Sequence, residues 1–332
     1  MLEPLRGRSV AVVGYGNQGR AHALNLRDSG LSVRVGARPE GRGEAAARGD
    51  GFRPTTAAEA ADGADLVILG LPDELAPRIV QTDLAPRLAG DATLGLMHGF
   101  AVRFGGLAAA EGIGVVLVAP KGPGDTVRSR FTEGQGVPGL WAVHQENARG
   151  DAAALATGWA AGIGCARAAL VETTLADETE TDLFGEQAVL CGGMLALLRL
   201  GFERLVAAGY PPELAYMECG QEIKQVADLL FELGPAGMMD RISNTAEFGA
   251  HVAEAAMRTS DLASVMDGLL ADVRDGSFAR QFTDDHAAGF PWFSSRRREL
   301  AADPLEQAAA DVRGWMPWIG SPPATPPDAP PA

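Results

Sequence analysis

The chain has 332 residues, of which 46% are apolar and 21% are charged, and its formal net charge is −15. This length predicts two domains that each bury a core, and the composition is typical of a globular protein. The negative charge and the lack of a basic stripe argue against nucleic acid as a partner. We expect neither a signal peptide, because residues 1–8 contain no apolar core of that length, nor a membrane span, because no apolar run is long enough. The three cysteines (Cys165, Cys191 and Cys219) show no CxxC spacing, so we expect reduced thiols and a cytoplasmic location.

The first predicted elements form a dinucleotide-binding fingerprint. A short apolar strand over residues 9–13 leads into a Gly-rich loop and then into a helix-compatible stretch. Gly14 permits a tight turn, Gly16 lets the backbone approach a pyrophosphate, and Gly19 lets the helix pack close to the strand. The alternative is a structural Gly-rich turn, which the strand–loop–helix order makes less favourable. The loop residues that we expect at the cofactor are Gly14, Tyr15, Gly16, Asn17, Gln18 and Gly19.

The loop after the second predicted strand, residues 31–35, is where the adenosine ribose of a dinucleotide should lie. Arg38 and Arg42 in this loop favour the 2′-phosphate of NADP, whereas Glu40 and Glu44 favour the free 2′-hydroxyl of NAD. The arginines incline the prediction towards NADPH, and NADH stays an alternative.

Further apolar segments, at 64–71, 92–97 and 114–119, predict strands that alternate with helices. His98 follows the second of these segments, and Lys121 follows the third closely. Ligands of an open parallel sheet bind outside the carboxyl ends of its strands, so both side chains are placed for function. Either residue alone would more often be structural or solvated, but their shared position beside the fingerprint favours a functional role.

The character of the sequence changes near Glu172. Before this residue, segments 141–144 and 165–171 predict the last strands, with a helix over 151–161 between them. Long apolar helical stretches follow, at 183–208, 212–233, 245–258 and 262–275. We therefore expect two domains, 1–172 and 173–316, and then a disordered Pro-rich tail, 317–332.

Two pairs of carboxylates lie at helical spacing beside the apolar stretches. Asp182 and Glu186 are four residues apart, and so are Glu218 and Glu222. Residues at this spacing project from one face of a helix. Four carboxylates on two apolar helices would repel one another unless a cation lies between them, and oxygen ligands suit Mg²⁺ or Mn²⁺. The pattern predicts a metal site, with two solvated acidic faces as the alternative.

Several segments together resemble one family in order and spacing. They are residues 14–19, 23–30, 98–100, 119–124 and 178–187, Glu218 with Glu222, and residues 242–247. On these segments the chain resembles ketol-acid reductoisomerase, also called acetohydroxy-acid isomeroreductase. The resemblance extends over about residues 5–315, and it matches the short form of the family with a single helical domain. Asp-Leu-Phe-Gly-Glu-Gln from Asp182 and Pro-Lys-Gly-Pro-Gly from Pro120 are its most specific segments.

The resemblance implies an architecture and a site. It implies an α/β Rossmann domain, a knotted all-α domain, and a homodimer whose active sites draw on both subunits, with a higher assembly left open. Two Mg²⁺ ions per site would be held by Asp182 and Glu186 of one subunit and by Glu218 and Glu222 of the other. Ser243 would hydrogen-bond the substrate carboxylate. The implied catalytic set is His98, Lys121, Glu186 and Glu222, and the implied cofactor set adds Arg38, Arg42, His98 and Gly124 to the glycine loop.

The resemblance also implies a reaction on a small-molecule 2-hydroxy-2-acyl acid. 2-Acetolactate, or 2-aceto-2-hydroxybutyrate, would be isomerised by alkyl migration and then reduced by NADPH to a 2,3-dihydroxy-3-methyl acid, in valine and isoleucine biosynthesis. Charge builds on two neighbouring oxygens during the migration, and two divalent cations across them lower the barrier as Lewis acids.

Some positions depart from the family's usual pattern. They are Asn17 for Ser, Arg20 for His, Gly41 and Gly43 for the phosphate-binding serines, Gly220-Gln221 for Leu-His, and Arg241 for a small residue. The changes near the substrate leave open a relative that acts on a different keto or imino acid in a secondary-metabolite pathway. A dinucleotide sensor without turnover and a 6-phosphogluconate-dehydrogenase-like enzyme are the remaining alternatives.

Overall fold

The computed structural model describes residues 1–258, 261–316 and 318–319. Apart from Trp318 and Ile319, the predicted Pro-rich tail lies outside the described residues. Contacts divide the chain into two compact units, Met1–Thr181 and the part from Asp182 onward. The predicted domain ranges, 1–172 and 173–316, and the implied knot stay predictions.

The first unit contains a mixed α/β arrangement and the second is helical, which confirms the predicted fold class. The strands are β1 (Val10–Val13), β2 (Val33–Gly36), β3 (Leu66–Leu69), β4 (Thr93–Leu96), β5 (Gly114–Pro120), β6 (Gly139–Gln145) and β7 (Leu170–Glu172). The helices are α1 (Asn17–Asp28), α2 (Arg42–Gly49), α3 (Ala57–Ala61), α4 (Ala76–Ile79), α5 (Phe100–Arg103), α6 (Gly124–Thr132), α7 (Ala152–Gly162), α8 (Leu175–Gly185), α9 (Gly192–Ala207), α10 (Pro212–Tyr216), α11 (Ile223–Met239), α12 (Asn244–Arg258), α13 (Leu262–Arg274), α14 (Ser277–Ala287), α15 (Pro291–Ala301) and α16 (Pro304–Gly314).

The strands form one sheet in the order β2-β1-β3-β4-β5-β6-β7. Strands β1 to β5 are parallel, as predicted, but β6 runs antiparallel to β5 and parallel to β7. The prediction of an open parallel sheet is therefore wrong at this edge, where antiparallel strands are common in such folds. The predicted strand over 165–171 is also too long, because Cys165–Arg167 forms a 3₁₀ turn after Gly164, whose φ is 100°.

The central strands are buried on both faces. Every residue of β1 and of β3 is buried. Alternate side chains of β1 enter two apolar clusters: Val10 and Val12 pack with Trp159 of α7, and Ala11 and Val13 pack with alanines of α3 and α4. A strand that is covered on both faces needs a continuous run of apolar residues. The first strands could therefore be predicted from short apolar segments of the sequence.

A buried polar pair anchors α1 to α7. Trp159 donates its Nε1–H to Nδ1 of His22 over 3.2 Å. Burial lowers the pKa of His22 to about 3, so the imidazole is neutral and can accept this bond. A Cβ at Gly95 of β4 would lie 2.7 Å from the Trp159 ring, so the indole packs directly on the sheet backbone. This packing fixes α1, whose N-terminus forms part of the glycine loop.

The second unit is built from helices that are interrupted at defined points. The predicted helix over 183–208 is divided by a π-helical turn at Glu186–Leu190, and the one over 212–233 by a second π-helical turn at Met217–Gln221. Helix α11 bends at Gly234, where φ is 72°, directly before Pro235. Among the described residues, no helix combines the length and apolar character needed to span a membrane.

Candidate functional site

The glycine loop after β1 has the shape that a pyrophosphate requires. Gly14 has a φ of 99°, and a Cβ there would lie 2.1 Å from the carbonyl oxygen of Gly70. A Cβ at Gly19 would lie 2.1 Å from the carbonyl oxygen of Gly14, so side chains are excluded at both positions. At Gly16, in contrast, no described atom lies within 4 Å of the Cβ position. The backbone at Gly16 is therefore open to a ligand at the N-terminus of α1, where amides favour an anion.

The loop after β5 packs against the glycine loop. Gln18 donates its side-chain amide to the Gly122 carbonyl over 2.9 Å. A Cβ at Gly124 would lie 2.3 Å from the carbonyl oxygen of Asn17, so only glycine allows this approach. Asn17, Gln18 and Gly124, all predicted at the cofactor, are thus brought together at the carboxyl ends of β1 and β5.

Asp50, which follows α2, ties the glycine loop to that helix. Its carboxylate accepts the Tyr15 hydroxyl over 2.9 Å and two N–H groups of Arg20 over 2.6 and 2.9 Å. The Arg20 hydrogen bond lowers the pKa of Asp50, whereas burial and Asp50 together raise the pKa of Tyr15. The Cβ position of Gly43 in α2 lies 3.4 Å from the Tyr15 side chain. Arg20, which departs from the family pattern, therefore has a structural partner in this chain.

The ribose loop between β2 and α2 carries its charges on the surface. Arg38, Glu40 and Arg42 are exposed. Arg42 begins α2, and Gly41 is the residue that precedes the helix. Of the two arginines predicted to read a 2′-phosphate, Arg42 is the first residue of α2 and Arg38 lies four residues before it, and their role stays a prediction.

His98 and Lys121 meet at a buried carboxylate that the sequence analysis did not assign to the site. Glu178, in the first turn of α8, is 1% exposed. Its Oε1 accepts from Lys121 Nζ over 2.9 Å, and its Oε2 lies 3.4 Å from His98 Nδ1. Burial alone would raise the pKa of the Glu178 carboxyl, but His98 and Lys121 outweigh burial and the pKa is lowered. The ionised Glu178 carboxylate therefore lies between the side chains of His98 and Lys121 at the carboxyl ends of β4 and β5.

Gly99 allows this cluster to form. A Cβ at Gly99 would lie 2.0 Å from Oγ1 of Thr179, so the turn after β4 touches α8 directly. Arg103 of α5 also donates to Glu180 of α8 over 2.8 Å. A sequence signal for Glu178 did exist: it lies four residues before Asp182 and extends the series of acids on one helix face.

The first predicted metal pair lies on α8 and the turn that follows it. Asp182 is in the last turns of α8, one helical turn beyond Glu178, and is half-buried. Glu186 begins the π-helical turn and is exposed, and its carbonyl accepts the N–H of Cys191 over 2.9 Å. Single π-helical turns within α-helices often occur at functional positions.

The second predicted metal pair has the same local structure. Glu218 lies within the second π-helical turn, and Glu222 follows it directly. The Glu222 N–H donates to the Met217 carbonyl over 3.2 Å, and both glutamates are exposed. Among the described residues of a single chain, these two pairs do not supply three ligand atoms within 4.8 Å of one another.

Ser243 stands at the N-terminus of α12. Its Oγ accepts the N–H of Ala246 over 3.2 Å, so Ser243 caps this helix. The hydroxyl proton can still be donated to a ligand. Arg241, the departure two residues earlier, is exposed.

The glycine loop at the carboxyl end of β1, with His98 and Lys121 at the same edge of the sheet, defines the class of dinucleotide-binding α/β proteins. Structures of a semialdehyde dehydrogenase NAD-binding protein from Cupriavidus necator and of a pyrroline-5-carboxylate reductase from Coxiella burnetii share this fold. The first has a TM-score of 0.60 at 19% identity, over 81% of this chain and 99% of that chain. The second has a TM-score of 0.56 at 16% identity, over 81% of this chain and 98% of that chain.

Two family models identify the family. The model described as acetohydroxy acid isomeroreductase, NADPH-binding domain, matches residues 4–169, and that described as ketol-acid reductoisomerase, C-terminal domain, matches residues 175–318. The structure of an NADH-preferring ketol-acid reductoisomerase from an uncultured archean is 37% identical, with a TM-score of 0.93, over 96% of this chain and 97% of that chain. The chain belongs to the ketol-acid reductoisomerase family of branched-chain amino-acid biosynthesis and binds a nicotinamide cofactor.

Proposed function

We propose that this chain converts 2-acetolactate and 2-aceto-2-hydroxybutyrate into 2,3-dihydroxy-3-methyl acids, by alkyl migration and then hydride transfer from NADPH or NADH. The observation that carries the proposal is the cluster of His98, Lys121 and the ionised Glu178 at the carboxyl ends of β4 and β5. In an open α/β sheet this is the edge where ligands bind, and it is also the edge of the glycine loop. A purely structural cluster would not need to lie there.

The acidic residues fit a divalent-metal site by their chemistry. Asp182, Glu186, Glu218 and Glu222 offer the oxygen ligands that Mg²⁺ prefers, and both pairs lie at or beside a π-helical turn. When bound, two Mg²⁺ ions would act as Lewis acids on the oxygens of the substrate. We propose that the four carboxylates hold these ions.

The cluster around Glu178 would position the groups that handle charge in the substrate. Glu178 accepts from Lys121 and so holds the ammonium group in one place. Its second oxygen lies 3.4 Å from Nδ1 of His98, so the carboxylate would stabilise a proton carried on that nitrogen. Lys121 would stabilise negative charge as it develops on a substrate oxygen, because a fixed cation there needs no reorganisation.

Ser243 would bind the substrate carboxylate. Its hydroxyl lies at the N-terminus of α12, where the helix dipole and backbone amides favour an anion. Arg241, nearby in sequence, adds a cation. This arginine is the observation that favours the second candidate function, a reaction on a different keto or imino acid with more negative charge.

We propose a homodimer whose sites use both subunits. The helical unit exposes many large apolar side chains, among them Leu190 at 65%, Leu197 at 52%, Phe231 at 80%, Phe248 at 73% and Val265 at 56%. Surfaces of this kind mark association sites. Among the described residues of one chain, the two carboxylate pairs do not bring three ligand atoms within 4.8 Å of one another, and a partner could supply the second pair.

Subunit complementation tests the shared site. Asp182→Asn and Glu218→Gln chains should each be inactive as homodimers. A mixed dimer, isolated with two different affinity tags, should recover about half of the wild-type activity, because one of its two sites contains no substitution. An inactive mixed dimer, with both chains folded, would show that one chain supplies all four ligands.

Turnover tests the reaction itself. Purified chain with 2-acetolactate and Mg²⁺ should oxidise NADPH or NADH, measured by the loss of nicotinamide absorbance. Omission of Mg²⁺ is the matched control and should stop the reaction. No oxidation of either cofactor with 2-acetolactate, but oxidation with another 2-keto or imino acid, would favour the second candidate.

A cytoplasmic location is supported by Cys165, Cys191 and Cys219, which are all free thiols.

A further inference from the structure

The connection between β2 and α2 makes a tight turn at the expected position of the adenosine ribose. The Gly41 N–H donates to the Arg38 carbonyl over 3.1 Å and closes a β-turn with Pro39 and Glu40 at its centre. Glu40 has a φ of 58°, in the left-handed region. A type II turn has this pattern: proline is common at the first central position, and the residue at the second central position is left-handed. That second position is normally occupied by glycine or asparagine. A glutamate in this position is strained and must be held by its surroundings.

Glu44 holds the turn from within α2. Its Oε2 accepts the backbone N–H of Glu40 over 2.6 Å, and its Oε1 accepts from Arg48 over 2.7 Å. The Arg48 hydrogen bond, followed by the Glu40 amide, lowers the pKa of Glu44, so the group is ionised at neutral pH. Only 21% of the Glu44 side chain is exposed. The chain therefore places a carboxylate of its own at the N-terminal end of α2.

This end of α2 is also where a 2′-phosphate would have to bind, beside the carboxyl end of β2. A phosphate there would face the charge of Glu44, and the Glu40 N–H that could bind it is already used. Arg38 and Arg42 would attract the phosphate, but Arg48 is paired with Glu44. The other acid of this turn, Glu40, has an exposed side chain and does not hold the turn as Glu44 does.

We propose that Glu44 determines the cofactor preference of this chain: its carboxylate occupies the position of the 2′-phosphate and makes the ribose loop selective for NADH. The inference rests on the proposed function, because it assumes that the glycine loop binds a nicotinamide dinucleotide. One charge within α2 would set the preference, and Arg38 and Arg42 would strengthen NADP⁺ binding only once that charge is removed. Selectivity for NADH is the opposite of the preference for NADPH that Arg38 and Arg42 predict from the sequence.

The test must separate this role from helix capping, since an acid in the first turn stabilises a helix in any protein. Glu44→Gln removes the charge but keeps an oxygen that can accept the Glu40 N–H. Glu40→Gln is the matched control, because it removes an equal charge from the same loop and leaves the Glu44 hydrogen bonds intact. Melting temperatures of both variants check the fold. Glu44→Ala, which also loses the hydrogen bond, provides a second variant with the same expected change in preference.

The measurement is the Kd of NAD⁺ and of NADP⁺ for the full-length chain, by isothermal titration calorimetry without substrate. We expect the wild type to bind NAD⁺ more tightly. Glu44→Gln should tighten NADP⁺ by about tenfold, because a like charge within a few ångströms of a phosphate dianion is removed. NAD⁺ should change by less than about threefold, and Glu40→Gln should change either Kd by less than about threefold. Arg42→Ala, added to Glu44→Gln, should cancel most of the gain.

Two results would overturn the assignment of Glu44. One is an NADP⁺ affinity that both Glu44 variants leave unchanged, and the other is an equal gain in Glu40→Gln, which would indicate a general charge effect. A wild-type chain that binds neither nucleotide would instead refute the dinucleotide site and the proposed function with it. Binding of both nucleotides by the wild type, together with either of those two results in the variants, would refute only the role of Glu44.

Discussion

Asp182→Asn is expected to reduce the isomerisation of 2-acetolactate by about 10³-fold or more, because the loss of a carboxylate ligand removes Lewis-acid stabilisation of the migrating centre. Glu186→Gln should have an equally large effect. Reduction of a ready-made 3-hydroxy-2-keto acid should fall less, since hydride transfer depends less on charge built up during migration. The measurement is the rate of NADPH or NADH oxidation with each of the two substrates.

Asp177→Asn is the matched control for this experiment. Asp177 lies on the same helix, α8, and is exposed, and its backbone N–H is capped by Thr174. This variant should keep both activities within about twofold, because an exposed carboxylate contributes little to stability. If Asp182→Asn and Glu186→Gln retained isomerisation at the control level, the proposed metal ligands would be wrong, whatever the cofactor binding showed.

Glu178→Gln is expected to reduce kcat by about 10²-fold, because Lys121 and His98 lose the charge that fixes their positions. Glu178→Ala should also destabilise the first unit by about 2–3 kcal/mol, somewhat below the value for a fully buried pair, because Lys121 is about a third exposed. Glu180→Gln on the same helix is the control, and it should change neither kcat nor stability by a comparable amount. Equal losses in the two variants would contradict a specific role for Glu178.

The same carboxyl predicts a pH dependence of stability. The pKa of Glu178 is lower in the folded chain than its ordinary value of 4.5. The unfolded chain therefore binds the proton first, and the stabilisation is complete above the ordinary pKa and is lost as the pH falls through the folded pKa. In Glu178→Gln this contribution is absent, so the urea midpoint should fall less steeply below about pH 4.5 than it does in the wild type. An identical acid slope in both chains would show that His98 and Lys121 do not stabilise the ionised carboxyl.

The parts of the site that the sequence predicted depend on local patterns. Gly14, Gly16 and Gly19 are recognisable because strand, turn and helix follow one another within a few residues. The strands β1 to β5 were predicted from short apolar runs, since burial on both faces leaves no polar alternation. The two carboxylate pairs were likewise visible as a helical spacing.

The parts that were missed depend on contacts between distant segments. Glu178 lies four residues before Asp182, but this spacing does not indicate that it is buried between His98 and Lys121, which are many residues away in sequence. The direction of β6 depends on how its connection crosses the sheet edge, which the strand's own residues do not encode. The π-helical turn at Glu186–Leu190 involves one additional residue in a helix. The spacing of the apolar residues fits an α-helical turn and a π-helical turn equally, so it does not predict this change.

The Asp50 contacts have a consequence for redesign of cofactor use. Asp50 follows α2, yet it holds Tyr15 of the glycine loop and Arg20 of α1. Transplanting the β2–α2 segment of a relative into this chain would exchange the ribose loop and at the same time remove the acceptor on which the neighbouring loop relies. A graft that alters nucleotide selectivity should therefore either retain Asp50 or carry residues 15–50 across as a single block.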